Sequence, residues 1–153
     1  MSLTLEVQIE SSSVGIPGKE DFQHWAASAL EQDDSDVEIV IRVVDEEESR
    51  HFNHQYRGKD KATNVLSFPF ESPPGMVSNH LGDLLVCAPV VEAEAAQQGK
   101  PLAHHWAHMI VHGVLHLRGF DHLDDVEAQH MEDLERRLLQ SMDISDPYKE
   151  PHE

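Results

Sequence analysis

From Pro101 to Leu117 the chain runs through apolar residues interrupted only by histidines and one glycine. This reads as a strongly apolar helix, ended where Gly119 can take the left-handed conformation. A helix so apolar must be covered by other elements, and the rest of the sequence supplies them. Leu3, Leu5, Val7 and Ile9 alternate with polar residues, as in a half-buried strand. Residues 19–32 place Phe22, Trp25, Ala26, Ala29 and Leu30 at helical spacing, and the acidic run 32–36 reads as a loop. Val37 to Val44 is rich in β-branched residues, as strands are. Asp45 is placed to cap a helix reaching about Tyr56, with Glu46, Glu47 and Glu48 set against its positive end. Residues 63–70 predict a third strand, in which Pro69 implies an edge or a strand end. A loop follows over 71–79, then a strand over Leu81–Cys87 and a helix from Pro89 to Gln98 with Gly99 at its exit. The last helix, about 124–142, carries Val126, Met131, Leu134, Leu138 and Leu139 inward, and residues 145–153 read as a frayed tail. With no internal repeat and no linker, residues 1–153 predict a single α+β domain. Its about four-stranded mixed sheet is packed with about five helices, a size and content usual for one domain.

Charge narrows the function less than it first suggests. Lys+Arg 11 against Asp+Glu 29 gives a net charge of −18, whereas a charge-driven nucleic-acid binder is basic. The average hides an uneven distribution: residues 1–54 hold 3 basic and 13 acidic side chains, while residues 57–61 hold three basic and one acidic. Cys87 is the only cysteine, which excludes an intrachain disulfide and a Cys-rich zinc site and favours a reduced, cytoplasmic setting. The N-terminus lacks the basic and apolar regions of a signal peptide. No window approaches the about 18 apolar residues of a membrane span, so no membrane partner is expected.

Histidine is the unusual residue: of 12, seven lie between His104 and His130. His112 and His116 are one helical turn apart on one face. His122 follows the helix-ending Gly119 and can return toward the same point. Three imidazoles with an open fourth position form the catalytic rather than the structural arrangement for zinc. One divalent metal, Zn²⁺ first, is therefore expected on His112, His116 and His122, to activate water or act as a Lewis acid. His108 shares their stripe, but a fourth ligand would close the site, so a supporting role is expected for it. His104, His105 and His130 read as helix surface. The ligand and glycine spacing matches the metzincin peptidases, yet Gly113 stands where that pattern carries its general-base glutamate.

Four stretches resemble the YbeY-type bacterial rRNA maturation factors, which are metal-dependent endoribonucleases. They are residues 56–60 (YRGKD), 63–69 (TNVLSFP), 81–87 (LGDLLVC) and 112–122 (HGVLHLRGFDH). The resemblance implies His112, His116 and His122 as metal ligands, Arg57 as a functional residue beside them, and catalytic roles for Arg57, His112 and His116. It also implies single-strand-specific cleavage in 3′-end maturation of small-subunit rRNA, a part in ribosome quality control, and partners that include a small-subunit ribosomal protein and an Era-type GTPase. Chemically this is coherent, because phosphodiester cleavage builds negative charge that a metal and a planar guanidinium both stabilise. Lys59, Lys61 and Arg118 are further phosphate-binding candidates, and Asp121 is a candidate to orient a ligand. Asn64 and Ser67 are expected to shape the strand beside the site. Two other readings stand beside this one: a metzincin-like metal hydrolase or peptidase, and a non-catalytic assembly factor whose acidic faces bind basic ribosomal proteins.

Overall fold

The structure, a computed structural model, describes residues 2–30, 36–76, 78–120 and 124–148. Along the chain come β1 (Leu3–Glu10), α1 (Lys19–Ala29), β2 (Val37–Val44), α2 (Glu46–Arg57), β3 (Val65–Pro69) and β4 (His80–Cys87). The helices α3 (Ala88–Gln98), α4 (Leu102–Leu117) and α5 (Asp125–Gln140) follow. The strands form one mixed sheet in the order β1-β2-β4-β3. β1 and β4 both pair with β2 in parallel, while β3 runs antiparallel to β4 at the edge, with Val65 opposite Val86 and Pro69 opposite Gly82. Pro69 therefore ends an edge strand, where a missing N–H breaks no ladder.

The parallel strand β2 is enclosed, which explains its run of Val and Ile: Val37, Ile39, Ile41, Val43 and Val44 are all buried. One face of the sheet carries the main core, where α1 and α4 lie. Phe22 of α1 and Trp106 of α4 meet edge to face there, ring centroids 5.7 Å apart. The opposite face holds a smaller cluster of Val44, Leu66 and Leu85, against which Phe52 of α2 and Phe68 pack. α4 is the central helix, in contact with α1, α3, α5, β3 and β4. Its C-terminus turns as expected: Gly119 has φ +98°, and the Phe120 N–H donates to the Leu115 carbonyl at 3.1 Å.

β4 approaches α4 closely at Gly82. A Cβ at that position would lie 2.5 Å from Leu117 Cδ2 and 2.6 Å from the Phe68 carbonyl oxygen. The carbonyl belongs to the paired strand and cannot withdraw without loosening the sheet. Gly82→Ala is expected to destabilise the protein by about 1–3 kcal/mol through overpacking, measurable as a lowered midpoint in urea with an unchanged m-value.

Several local expectations are corrected. β3 begins at Val65, because Thr63 is engaged with α2 instead, its N–H donating to Ser49 Oγ and its carbonyl accepting from the same hydroxyl, both at 3.0 Å. Asp45 precedes α2 but makes no side-chain cap; its carboxylate accepts hydrogen bonds from Ser11 and Ser12 beyond the end of β1. Those bonds, that of Ser11 above all, hold its pKa below the ordinary aspartate range. Val126 does not face inward: it lies in the first turn of α5 and is 79% exposed. Of the tail, residues 145–148 are described, with the Tyr148 N–H donating to Asp146 Oδ1 at 2.8 Å, and residues 149–153 lie outside the described residues.

Candidate metal centre

α4 sets His108, His112 and His116 on one stripe at successive turns, with ring centroids 6.0 Å apart for the first pair and 4.6 Å for the second. The Nε2 atoms of His112 and His116 converge to 3.1 Å. On the other side of the His112 ring, Nδ1 meets Glu135 Oε1 of α5. Glu135 is fully buried. Burial raises its pKa, but the hydrogen bonds from His108 and His112 outweigh that and leave it well below the usual carboxylate range. An ionised carboxylate only accepts, so Nδ1 of His112 carries the hydrogen. A neutral His112 ring then has its lone pair on Nε2, directed toward His116.

Glu135 Oε2 accepts from the Tyr148 hydroxyl, and His108 Nε2 lies 3.4 Å from both groups. Burial keeps His108 below its ordinary pKa. His108, His112 and Glu135 each offer a ligand atom, all within 4.8 Å of one another, and could hold a metal ion. His112 thus has two sides: Nδ1 belongs to this inner cluster, and Nε2 belongs with His116 to the cleft outside.

That cleft, of about 630 Å³, is lined by Arg57, Asn64, Ser67, His112, His116 and Phe120 among others. Arg57 closes α2, which ends at Gly58 with φ +71°. The loop beyond is anchored by buried Asn53, whose Nδ2 donates to the Lys61 carbonyl at 2.8 Å. Its one carboxylate, Asp60, accepts from Arg50 Nε at 2.6 Å. Lys59 and Lys61 are exposed on that loop. Asn64 Nδ2 donates to Glu94 Oε1 at 3.1 Å, and Ser67 Oγ donates to the Gly113 carbonyl at 3.2 Å, tying β3 to α3 and α4. Arg118 Nη1 donates to the Ala29 carbonyl at 2.9 Å, so it links the ends of α4 and α1. His122 and Asp121 lie outside the described residues.

The family model for the endoribonuclease YbeY matches residues 6–143. The chain belongs to the YbeY family. The solution structure of TM1509 from Thermotoga maritima is similar to it in fold, with a TM-score of 0.57 at 24% identity, covering 94% of this chain and 99% of that one. YbeY membership supports an endoribonuclease role in rRNA processing.

Within this YbeY fold, Gly113 is buried and faces the sheet rather than the cleft: a Cβ there would meet Leu84 Cδ2 at 2.9 Å and Val65 Cγ2 at 3.4 Å. His105 is not helix surface. It is 2% exposed, and its Nε2 lies 2.9 Å from Glu94 Oε1. The non-local partner Glu94 explains the difference: burial pushes that carboxyl up, and the bonds from His105 and Asn64 bring it below its ordinary pKa.

The sequence reading missed Glu135 and Tyr148. A signal for the first existed, since Glu135 falls between Met131 and Leu138 on the inward stripe of α5, where an unpartnered acid would be costly.

Proposed function

We propose that this YbeY-family chain, working as one domain over residues 1–153, is a metal-dependent, single-strand-specific endoribonuclease. Its role would be 3′-end maturation of small-subunit rRNA and ribosome quality control in the cytoplasm. One observation carries the reading: a single cleft gathers His112, His116 and Arg57. The proposed ligands of one Zn²⁺ are His112, His116 and His122. The two described donors support this reading, because two nitrogens bound tetrahedrally at about 2.0–2.1 Å lie about 3.3 Å apart, and the Nε2 atoms of His112 and His116 are 3.1 Å apart. A bound Zn²⁺ supplies Lewis acidity at the scissile phosphate.

The chain's own residues do the rest. Arg57, which lines the cleft, binds the phosphate with its planar fork and stabilises charge as it builds on the phosphoryl oxygens. Lys59 and Lys61 extend that positive edge along the RNA backbone, with Asp60 neutralised by Arg50. Asn64 and Ser67 hold β3 as the wall opposite the histidines. Asp121, beside His122, is a weaker contributor to ligand orientation, and Arg118, whose Nη1 is taken by the Ala29 carbonyl, contributes by fixing the end of α4 rather than from the cleft lining. The acidic remainder of the surface suits basic partners such as a small-subunit ribosomal protein, and an Era-type GTPase is proposed beside it. Among the described residues no helix is long and apolar enough to cross a membrane.

The peptidase reading loses support at position 113, which points into the sheet contact and away from any substrate in the cleft. The test is cleavage of a small-subunit rRNA precursor by the purified full chain. Arg57→Ala should slow cleavage about 10²-fold, the usual cost of removing one charge-stabilising donor, with zinc content unchanged. Arg57→Ala that preserves rRNA maturation in cells as well as wild type does would move the balance to the non-catalytic assembly factor.

A further inference from the structure

Behind the cleft lies a polar group that phosphate chemistry does not use. Glu135 is fully buried on α5 beside the core residues Met131, Leu138 and Leu139. A carboxylate there is costly unless its oxygens are bonded, and both are. Oε1 accepts from His112 Nδ1, and Oε2 accepts from the hydroxyl of Tyr148. Tyr148 comes from the segment beyond α5, and that segment is fastened in its own right. Lys100 Nζ donates to the Pro147 carbonyl at 2.9 Å, and Arg136 Nε donates to Asp146 Oδ1 at 3.2 Å. The Tyr148 N–H donates to the same Asp146 oxygen at 2.8 Å, and the Arg136 guanidinium lies 5.1 Å from the Tyr148 ring centroid.

We propose that Glu135 and Tyr148 are positioning residues of the metal centre: the C-terminal segment brings Tyr148 to hold Glu135, and Glu135 fixes the ring and tautomer of His112 so that Nε2 faces the cleft. The inference rests on the ligand set proposed above. Its chemistry is that of a carboxylate behind a ligating histidine, which orients the ring and raises its basicity. Glu135 reaches only Nδ1, on the side of the ring away from His116. A ligand of an ion in the cleft would have to stand on the Nε2 side. The arrangement makes Tyr148, the last described residue, part of the site's construction, although it lies 26 positions beyond His122 in sequence.

The test uses the full chain, first stripped of zinc and then titrated with Zn²⁺ against a chromophoric chelator. Nitrogen NMR of the His112 ring is recorded on the zinc-free protein. Glu135→Ala should weaken Zn²⁺ binding about 10–100-fold, as loss of such a carboxylate does elsewhere, and should release the ring from the Nδ1–H tautomer. Glu135→Gln keeps an acceptor for Nδ1–H and should recover part of both. Tyr148→Phe removes one hydroxyl from a half-exposed side chain, and it should weaken binding several-fold while the protein melts cooperatively. Wild-type affinity and an unchanged His112 ring in Glu135→Gln and Tyr148→Phe overturn the proposal, and they do so even if Glu135→Ala fails to fold. A loss in Glu135→Gln as complete as that in His116→Ala also overturns it, because Glu135 would then be a ligand. If His116→Ala keeps its zinc, the ligand assignment fails instead, and the ring spectrum of zinc-free protein decides the positioning role separately.

Discussion

Replacing His116 with alanine should remove stoichiometric zinc and lower rRNA cleavage at least about 10³-fold, while the protein stays folded. The magnitude follows from the several kcal/mol that a metal contributes to charge stabilisation, at about 1.4 kcal/mol per tenfold in rate. The fold should survive because the His116 side chain faces the cleft and is only half-buried. The helix that carries it is secured by Ile110, Val114, Leu115 and Leu117 on its other sides. Metal content by mass spectrometry, thermal unfolding and cleavage of the rRNA precursor should therefore separate. The first and last collapse while the second shifts by no more than about 1 kcal/mol, as for substitutions away from packed features. Cleavage that persists in this variant would point to a contaminating nuclease and end the enzymatic reading.

Gly113→Glu should have the other large effect, and on stability rather than chemistry. This change restores the glutamate that a peptidase of the same ligand spacing would carry. The new Cβ would stand 2.9 Å and 3.1 Å from the two methyl carbons of Leu84. Overpacking of that kind costs about 1–3 kcal/mol, and the carboxyl beyond it would enter an apolar contact between α4 and the sheet at a further cost of about 2 kcal/mol or more. The sum is a large share of the about 5–15 kcal/mol that holds a domain together, so the variant should express poorly or melt far below wild type. Gly113→Ala should show only the overpacking, partly offset by the about 1 kcal/mol that alanine gains over glycine in a helix. A Gly113→Glu protein with wild-type stability and new peptide cleavage would revive the peptidase reading.

The order of strands and helices was legible because each element carries its own period. Alternation marks β1, an unbroken β-branched run marks the enclosed strand β2, and apolar spacing marks α1, α4 and α5. Pro69 announced an edge, and Gly119 a helix end, through backbone rules that act locally. The histidine string was legible for the same reason, since two residues four apart on a helix must share a face. What could not be read depends on partners distant in sequence. Asp45 reads as a helix cap until Ser11 and Ser12 claim its carboxylate. His105 reads as surface until Glu94 arrives from α3. Glu135 looks like one more acid in an acidic chain until α5 is seen to bury it against His112. Val126 shows the converse, an apolar residue at the right spacing in a first turn that the core does not reach.

α4 has a further bearing on the proposed metal. Eleven of its sixteen residues are buried, so the imidazoles stand on a helix held in place by its own apolar packing. Small zinc domains collapse when stripped, because the energy of binding is their energy of folding. This chain should behave in the opposite way: a chelator would leave an intact, idle protein that recovers as soon as zinc returns. Such a molecule can wait in an unloaded form and be switched on by supply, without being remade.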